Sequence, residues 1–452
     1  MARKRVNRRD FIKTSSAATL GAIALPYVVS SSALGKDGRP PASERIVMGC
    51  IGLGGMGTNN MNVFMSKPEV QVVAVCDVHE SYNDGNAGRA PAKARAEQHY
   101  ADLAGKGTYR GCTAYADFRN LLAREDLDAV SIATPDHWHA LTSIAAAEAG
   151  LDIYCEKPLA NSVAEGRAIC EAVRRNQVIL QTGSHERSNP KGRFACELVR
   201  NGRIGKLHTI RINLPCSDSH HKDAMSFTTV PPPEPVPAGL DWDMWLGHTP
   251  VVPYTPRRCH FWWRFILAYG GGEMTDRGAH IIDIGQLGNG TDDTGPIEIE
   301  ATGTHSTTGL YDAFFDYHFV NRYANGVELI GEAKDPRGLR FEGDKGSIFI
   351  HIHGCDLEAD PPSLLDEKIG DDEVQLGRTQ GHHQNFLDCV RSRQQPFATA
   401  EIGHRTATIC HLNNIAMRVG RSLKWDPVTE TIQDDDEAAA LLAPAMRAPW
   451  HL

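Results

Sequence analysis

The chain has eleven cysteines, and no two of them form a C-x-x-C pair. That removes the spacing on which zinc ribbons and dithiol redox sites are built. Cys50, Cys76 and Cys155 instead fall in strand-like apolar runs, as reduced core thiols do. Long apolar runs are missing too: the mild one at residues 17–29 is broken by Gly21 and Pro26 and is too short for a membrane span. Basic charge is scarce beyond the N-terminus. Of the 47 Lys and Arg, six lie in the first 33 residues beside one acid, Asp10, which leaves 41 basic against 55 acidic residues, a net of −14. Such a balance argues against nucleic acid or an anionic membrane surface as partner. No internal repeat is present.

What remains is ordinary globular material, 41% hydrophobic and 23% charged, in a chain of 452 residues that is long enough for two or three domains. Residues 1–33 read as an address. Asn7-Arg8-Arg9-Asp10-Phe11-Ile12-Lys13 resembles a twin-arginine motif, and a small-residue site follows near Ser31-Ser32-Ala33. That route carries folded proteins to the periplasm, so a cofactor is loaded before export. Residues 34–43 read as a linker.

The first chemical signal is Gly52-Leu53-Gly54-Gly55-Met56-Gly57, at G-x-G-x-x-G spacing after an apolar run at 45–51 and before a helix expected near Thr58. Gly52 permits the tight turn, Gly54 a close backbone approach to a pyrophosphate, and Gly57 close helix-strand packing, with the phosphates on the helix N-terminus. Alone this pattern is weak. A second apolar run, 70–76, ends in Asp77, twenty residues beyond Gly57. A carboxylate there accepts from the adenosine ribose and repels a 2′-phosphate, so the expected cofactor is NAD rather than NADP.

Further buried strands are expected at 128–134, 151–155 and 178–182, alternating with helices, which predicts a doubly wound parallel sheet with its ligand at the strand C-termini. Thr134-Pro135 and Glu156-Lys157-Pro158 sit at such ends. From residue 207 the strand-like runs (207–214, 297–304, 326–332, 346–351) come with turns and long loops, as in an open, mainly antiparallel sheet. The expected organisation is a Rossmann domain at 44–183, an α+β domain at 184–425 with a loop insertion at 215–265, and a tail at 426–452. Residues 385–420 read as helical, and the acidic run 434–437 as a solvated face. Four of the seven tryptophans (Trp242, Trp245, Trp262, Trp263) fall in the insertion, either as platforms for sugar C–H groups or as packing that orders a Pro-rich loop.

Asp276 and His280 follow Gly270-Gly271-Gly272. Four residues apart on a helix, they share a face, and a carboxylate beside an imidazole raises its basicity, although such a pair is commonly only a surface contact. His220-His221 and His382-His383 are read as adjacent residues pointing opposite ways on a strand, and no metal is assigned.

In this order, the glycine turn, Thr134-Pro135 with His139, Glu156-Lys157-Pro158 and the Asp276/His280 pair resemble the glucose-fructose oxidoreductase, inositol dehydrogenase and MocA family over roughly residues 45–425. The 240–254 insertion and Trp425-Asp426-Pro427 look like its exported branch. The resemblance implies that Lys157 reaches nicotinamide ribose and substrate hydroxyl, that Asp276 and His280 form an acid/base dyad, and that Gly52, Gly54, Gly55, Met56, Gly57, Asp77, Thr134, Pro135, His139, Glu156 and Lys157 line the cofactor. Trp262, Trp263, Arg264 and His185 are the candidate substrate contacts. The implied activity is hydride transfer between a secondary hydroxyl of a sugar, glycoside or polyol and tightly bound NAD, in a homo-oligomer, either dimer or tetramer. Redox-neutral glycoside cleavage through a transient keto-sugar and an inert sugar-nucleotide sensor are the competing readings. Retention of Lys157 favours the dehydrogenase.

Overall fold

The computed structural model describes residues 39–105, 107–354 and 356–452; the segment read as an export signal, with residues 34–38 of the linker, lies outside them. The chain divides into two compact units after Ser131. Strands β1 (Ile46–Ile51), β2 (Val70–Cys76), β3 (Thr113–Tyr115), β4 (Ala129–Ile132), β5 (Asp152–Cys155) and β6 (Leu180–Thr182) take the order β3-β2-β1-β4-β5-β6, a doubly wound parallel arrangement. Every residue of β1, β4, β5 and β6 is buried, and β1 is apolar throughout, whereas β4, β5 and β6 also bury Ser131, Asp152, Gln181 and Thr182.

In the first unit the helix Gly55–Met65 begins directly in the glycine turn, three residues earlier than expected. After Asp77, turns lead into a helix, Arg89–Ala104, which stops where Gly105 adopts φ 58°.

In the second unit β7 (Leu207–Asn213), β8 (Glu298–Thr304), β9 (Phe315–Arg322), β10 (Glu328–Glu332), β11 (Gly338–Gly343), β12 (Gly346–His351), β13 (Leu357–Asp360), β14 (Leu423–Asp426) and β15 (Thr431–Ile432) form a sheet ordered β13-β12-β11-β7-β10-β9-β8-β14-β15. Only the β7/β10 pair is parallel. The first five residues of β9 alternate strictly between buried and exposed, as expected of a sheet with one covered face. Helices Gly278–Asn289 and Ala400–Val419 pack on each other and on this sheet.

Several expectations are corrected. Residues 385–420 form two helices, His382–Ser392 and Ala400–Val419, because Arg393 turns left-handed at φ 59°. His220 and His221 lie on the helix Ser219–Ser226, not on a strand, and His382 begins a helix with its ring between Ser188 Oγ and the Thr182 carbonyl. The acidic run is not merely solvated: Asp435 caps the helix Asp436–Ala440 and binds Arg421 at 2.7 Å. In the insertion Trp242 stacks on Trp245 at 4.9 Å, meets Tyr254 edge-on and donates to the Val252 carbonyl, so these two tryptophans order the loop. The ten described cysteines are free and buried. Among the described residues no helix is long and apolar enough to cross a membrane.

Candidate active site

The glycine turn does what its spacing requires. Gly52 adopts φ 80°, a conformation that penalises any side chain, and its N–H donates to the Cys76 carbonyl at 2.9 Å. A Cβ on Gly54 would stand 3.0 Å from the Tyr82 hydroxyl. Gly54 is also the N-cap of the following helix, and the first-turn N–H groups have no side-chain cap. Unpaired amides on a positive dipole end fit a pyrophosphate. Asp77 ends β2, its Oδ2 accepting from Leu53 N at 2.8 Å and its Oδ1 from His79 N at 2.9 Å. Burial raises its pKa above the ordinary carboxylate value, against the opposing pull of these two N–H groups and Arg89. The acid is thereby locked to the turn it serves.

In the second unit the segments after β4 and β5 are tied together. Glu156 N donates to the Ile132 carbonyl at 2.9 Å. His139 sits between the carbonyls of Pro158 (2.7 Å from Nδ1) and Thr134 (3.0 Å from Nε2), and burial pushes its pKa down to about 4. The neutral ring has one N–H, so it donates to one of these carbonyls while the other nitrogen lies against the second. His139 therefore also links the Thr134 loop to the loop that carries Lys157. Thr134 Oγ1, by contrast, is buried without a hydrogen-bond partner among the described residues, as a hydroxyl awaiting a ligand would be.

Lys157 leads into the reactive cluster. Its Nζ donates to Asp276 Oδ1 at 2.5 Å and to the Asp276 carbonyl at 3.0 Å, while Arg264 Nε stands 3.3 Å from Asp276 Oδ2. Burial disfavours the Lys157 ammonium, but Asp276 outweighs it and raises the pKa; reciprocally, Lys157 and Arg264 overcome burial and hold Asp276 far below the carboxylate range. Asp136 is buried nearby, its pKa raised by burial despite the charges of Lys157 and Arg264.

His280 is 4% exposed, with its Nδ1 buried and lacking a hydrogen-bond partner. Burial first, then the Lys157 charge and the rings of His185 and His353, lower its pKa well below 6.5. His280 is therefore a neutral imidazole at neutral pH. Its ring centroid lies 4.5 Å from that of His185 and 5.1 Å from that of His353.

The expected Asp276/His280 dyad takes a different form. The helix is interrupted at Arg277, between Glu273–Asp276 and Gly278–Asn289, and the Asp276 carboxylate turns to Lys157 and Arg264. A full cation close by is worth more to a carboxylate than a neutral imidazole one turn away. Of the insertion residues, Arg264 and Trp263 belong to this cluster, the guanidinium lying 4.5 Å over the Trp263 ring; Trp262 instead stacks on Tyr311 under Arg257.

Five residues carried too little signal to be read from the sequence: Asp136, Glu186, Arg187, Asp283 and His353. Asp136 stands between Pro135 and His139, and that place inside a motif was the available signal. Arg187 and Asp283 are buried together, Arg187 Nε donating to Asp283 Oδ2 at 2.7 Å, and Asp283 sits three residues after His280. Glu186, 3% exposed, receives His353 Nδ1 at 3.1 Å across 167 residues, a pairing that carries no sequence signal.

The glycine turn and Asp77 in the first unit have the features of a dinucleotide-binding turn, and the second unit gathers an ammonium, a carboxylate and a neutral imidazole. Residues 46–184 match the family model described as oxidoreductase family, NAD-binding Rossmann fold, and residues 195–452 the one described as oxidoreductase family, C-terminal alpha/beta domain. The chain belongs to this Gfo/Idh/MocA oxidoreductase family, and its cofactor is NAD. It is 26% identical over 213 residues to a glycosyl hydrolase family 109 protein of Shewanella baltica, a match spanning 45% of this chain and 44% of that protein. It is 31% identical over 170 residues to the uncharacterized oxidoreductase YrbE of Bacillus subtilis, covering 38% and 44%. The chain thus spans less than half the length of these curated relatives. Among solved structures, aldose-aldose oxidoreductase from Caulobacter crescentus shares the fold at TM-score 0.59 and 18% identity, covering 84% of this chain and 99% of that one.

Proposed function

We propose that the protein oxidises a secondary hydroxyl of a sugar, glycoside or polyol, using NAD that it keeps bound. The observation that carries this reading is the Lys157–Asp276 pair beside a neutral His280. His280 takes the hydroxyl proton, which only the unprotonated ring can do. Lys157, kept protonated by Asp276, stabilises the negative charge growing on the alcohol oxygen, and Arg264 keeps Asp276 ionised so that the lysine does not surrender its proton to it. NAD, when bound, supplies the hydride acceptor. The glycine turn and Asp77 would hold its pyrophosphate and ribose; in the second unit Thr134 keeps a buried hydroxyl with hydrogen-bonding capacity to spare.

The N-terminal motif supports export of the folded protein to the periplasm, where no free NAD pool exists. Cofactor retention and recycling by a second, keto-sugar substrate then go together, and assembly as a dimer or tetramer is part of the same proposal. The test starts from protein purified without added nucleotide. One portion is denatured to assay released NAD(H), and another is mixed with glucosides, free sugars and polyols while reduced-nicotinamide absorbance and products are followed. The reading expects bound NAD that becomes reduced and stays so until a keto-sugar is added. Glycoside cleavage with no net reduction would overturn it in favour of redox-neutral hydrolysis, the reading that the family 109 relatives support.

A further inference from the structure

The rings of His185 and His353 converge on one carboxylate oxygen. His353 Nδ1 stands 3.1 Å and His185 Nε2 3.4 Å from Glu186 Oε1, and the three donor atoms lie within 4.8 Å of one another. In a tetrahedral zinc site with bonds of about 2.0–2.1 Å, neighbouring donors stand roughly 3.3 Å apart. Both carboxylate edges of this triangle already have that length.

Two separate segments bring the three residues together. His185 and Glu186 begin the turn His185–Ser188, which the buried Arg187–Asp283 pair fastens to the helix bearing His280. His353 follows β12 at φ 68°, and its backbone N–H also donates to Glu186 Oε1 at 3.2 Å. Glu186 is almost fully covered, whereas the two imidazoles are partly open, their side chains 42% and 33% exposed. Beside them His280 keeps Nδ1 buried and unpartnered, with its ring against both.

We infer that His185 Nε2, Glu186 Oε1 and His353 Nδ1 form a binding site for a divalent transition metal ion of the zinc type. Two imidazoles and one carboxylate select such an ion over Mg²⁺ or Ca²⁺, which take oxygen ligands. Three protein ligands also leave a coordination position open, the pattern of ions that act on a substrate rather than brace a fold. The His280 ring lies against both ligand imidazoles. The second imidazole-carboxylate group, Asp218 with His220 and His221, has no such claim: Arg277 holds Asp218 at 2.6 Å, and Glu273 holds His221 at 3.0 Å.

The site stands apart from the hydride-transfer reading, and the test keeps the two distinguishable. Untagged full-length protein is stripped with chelator and titrated with Zn²⁺ against a chromophoric competitor, and Co²⁺ is added separately to record the visible spectrum of the bound ion. The expected result is one tight equivalent of Zn²⁺ and a tetrahedral Co²⁺ spectrum. Both should be lost in His353→Ala and in Glu186→Gln, with affinity falling roughly a hundredfold or more while the NAD released on denaturation stays at the wild-type level. His353 lies in an exposed turn, so that variant keeps the test valid even if Glu186→Gln disturbs folding. Wild-type protein that binds Zn²⁺ no more tightly than His353→Ala would overturn the site and reduce the cluster to a hydrogen-bonded histidine-carboxylate network.

Discussion

Lys157 and Asp276, 119 residues apart in sequence, meet through both the side chain and the backbone of the aspartate, at 2.5 Å and 3.0 Å. The double contact fixes the ammonium in place as well as in charge. Replacing Lys157 with Met keeps the length of the stem and removes the charge. The proposed alkoxide then loses its stabiliser, and turnover should fall on the order of a hundredfold or more. Rapid-mixing measurement of the first reduction of bound NAD checks this directly, and an unchanged rate would remove Lys157 from the chemistry.

The same charge makes a prediction about pH. His280 works as a base only when unprotonated, and its pKa is lowered by burial first and by Lys157 next. A lowered pKa keeps the neutral form populated into mild acid, so the acid limb of kcat/KM should lie below pH 6.5. In Lys157→Met one depressing charge is gone, and the limb of the residual activity should move up towards 6.5. A wild-type limb at 6.5 or above would contradict the burial argument, and His280→Ala should abolish the limb along with most of the rate.

The parallel half of the fold was legible because strands covered on both faces leave no choice but apolar residues, as in the run 46–51, and because a glycine turn followed by an acid has few other uses. Strand β9 escaped notice although Phe315, Tyr317 and Phe319 alternate with Asp316 and His318; the signal was present but short. The site was half legible. Spacing paired Asp276 with His280, whereas the tertiary fold brought a lysine from another loop, and a cation outcompetes a neutral ring for a carboxylate. His353, Glu186 and Arg187 were invisible because their partners lie 96 to 167 residues away and recur with no periodicity.

Asp77 offers a check on cofactor choice that is separate from the chemistry. Its two oxygens are already engaged by Leu53 N and His79 N, so the carboxylate is presented in one orientation and cannot swing aside for a 2′-phosphate. Asp77→Ser removes the repelling charge while leaving a small acceptor. The preference for NADH over NADPH, measured by fluorescence titration of cofactor-stripped protein, should shrink about tenfold or more. An unaltered preference would mean that the ribose is read elsewhere.

Arg187 and Asp283 test the scaffold behind the site. The two side chains are 1% and 0% exposed, and Arg187 also binds Asp292 at 2.6 Å while Asp283 accepts from Thr406 at 2.9 Å. Burial disfavours the guanidinium charge, but the two carboxylates outweigh it and raise its pKa, so the charge is kept. Removing one partner of a buried pair strands the other without compensation, a cost of about 3–5 kcal/mol. Arg187→Met should therefore lower stability by that order in urea unfolding. Because the pair ties the His185 turn to the helix carrying His280, the variant should also lose turnover at temperatures where it is still fully folded. Arg187→Met combined with Asp283→Asn, which leaves no stranded carboxylate at position 283, should recover much of the stability but not the turnover. Stability recovered together with full turnover would show that the pair braces the fold alone and does not position the base.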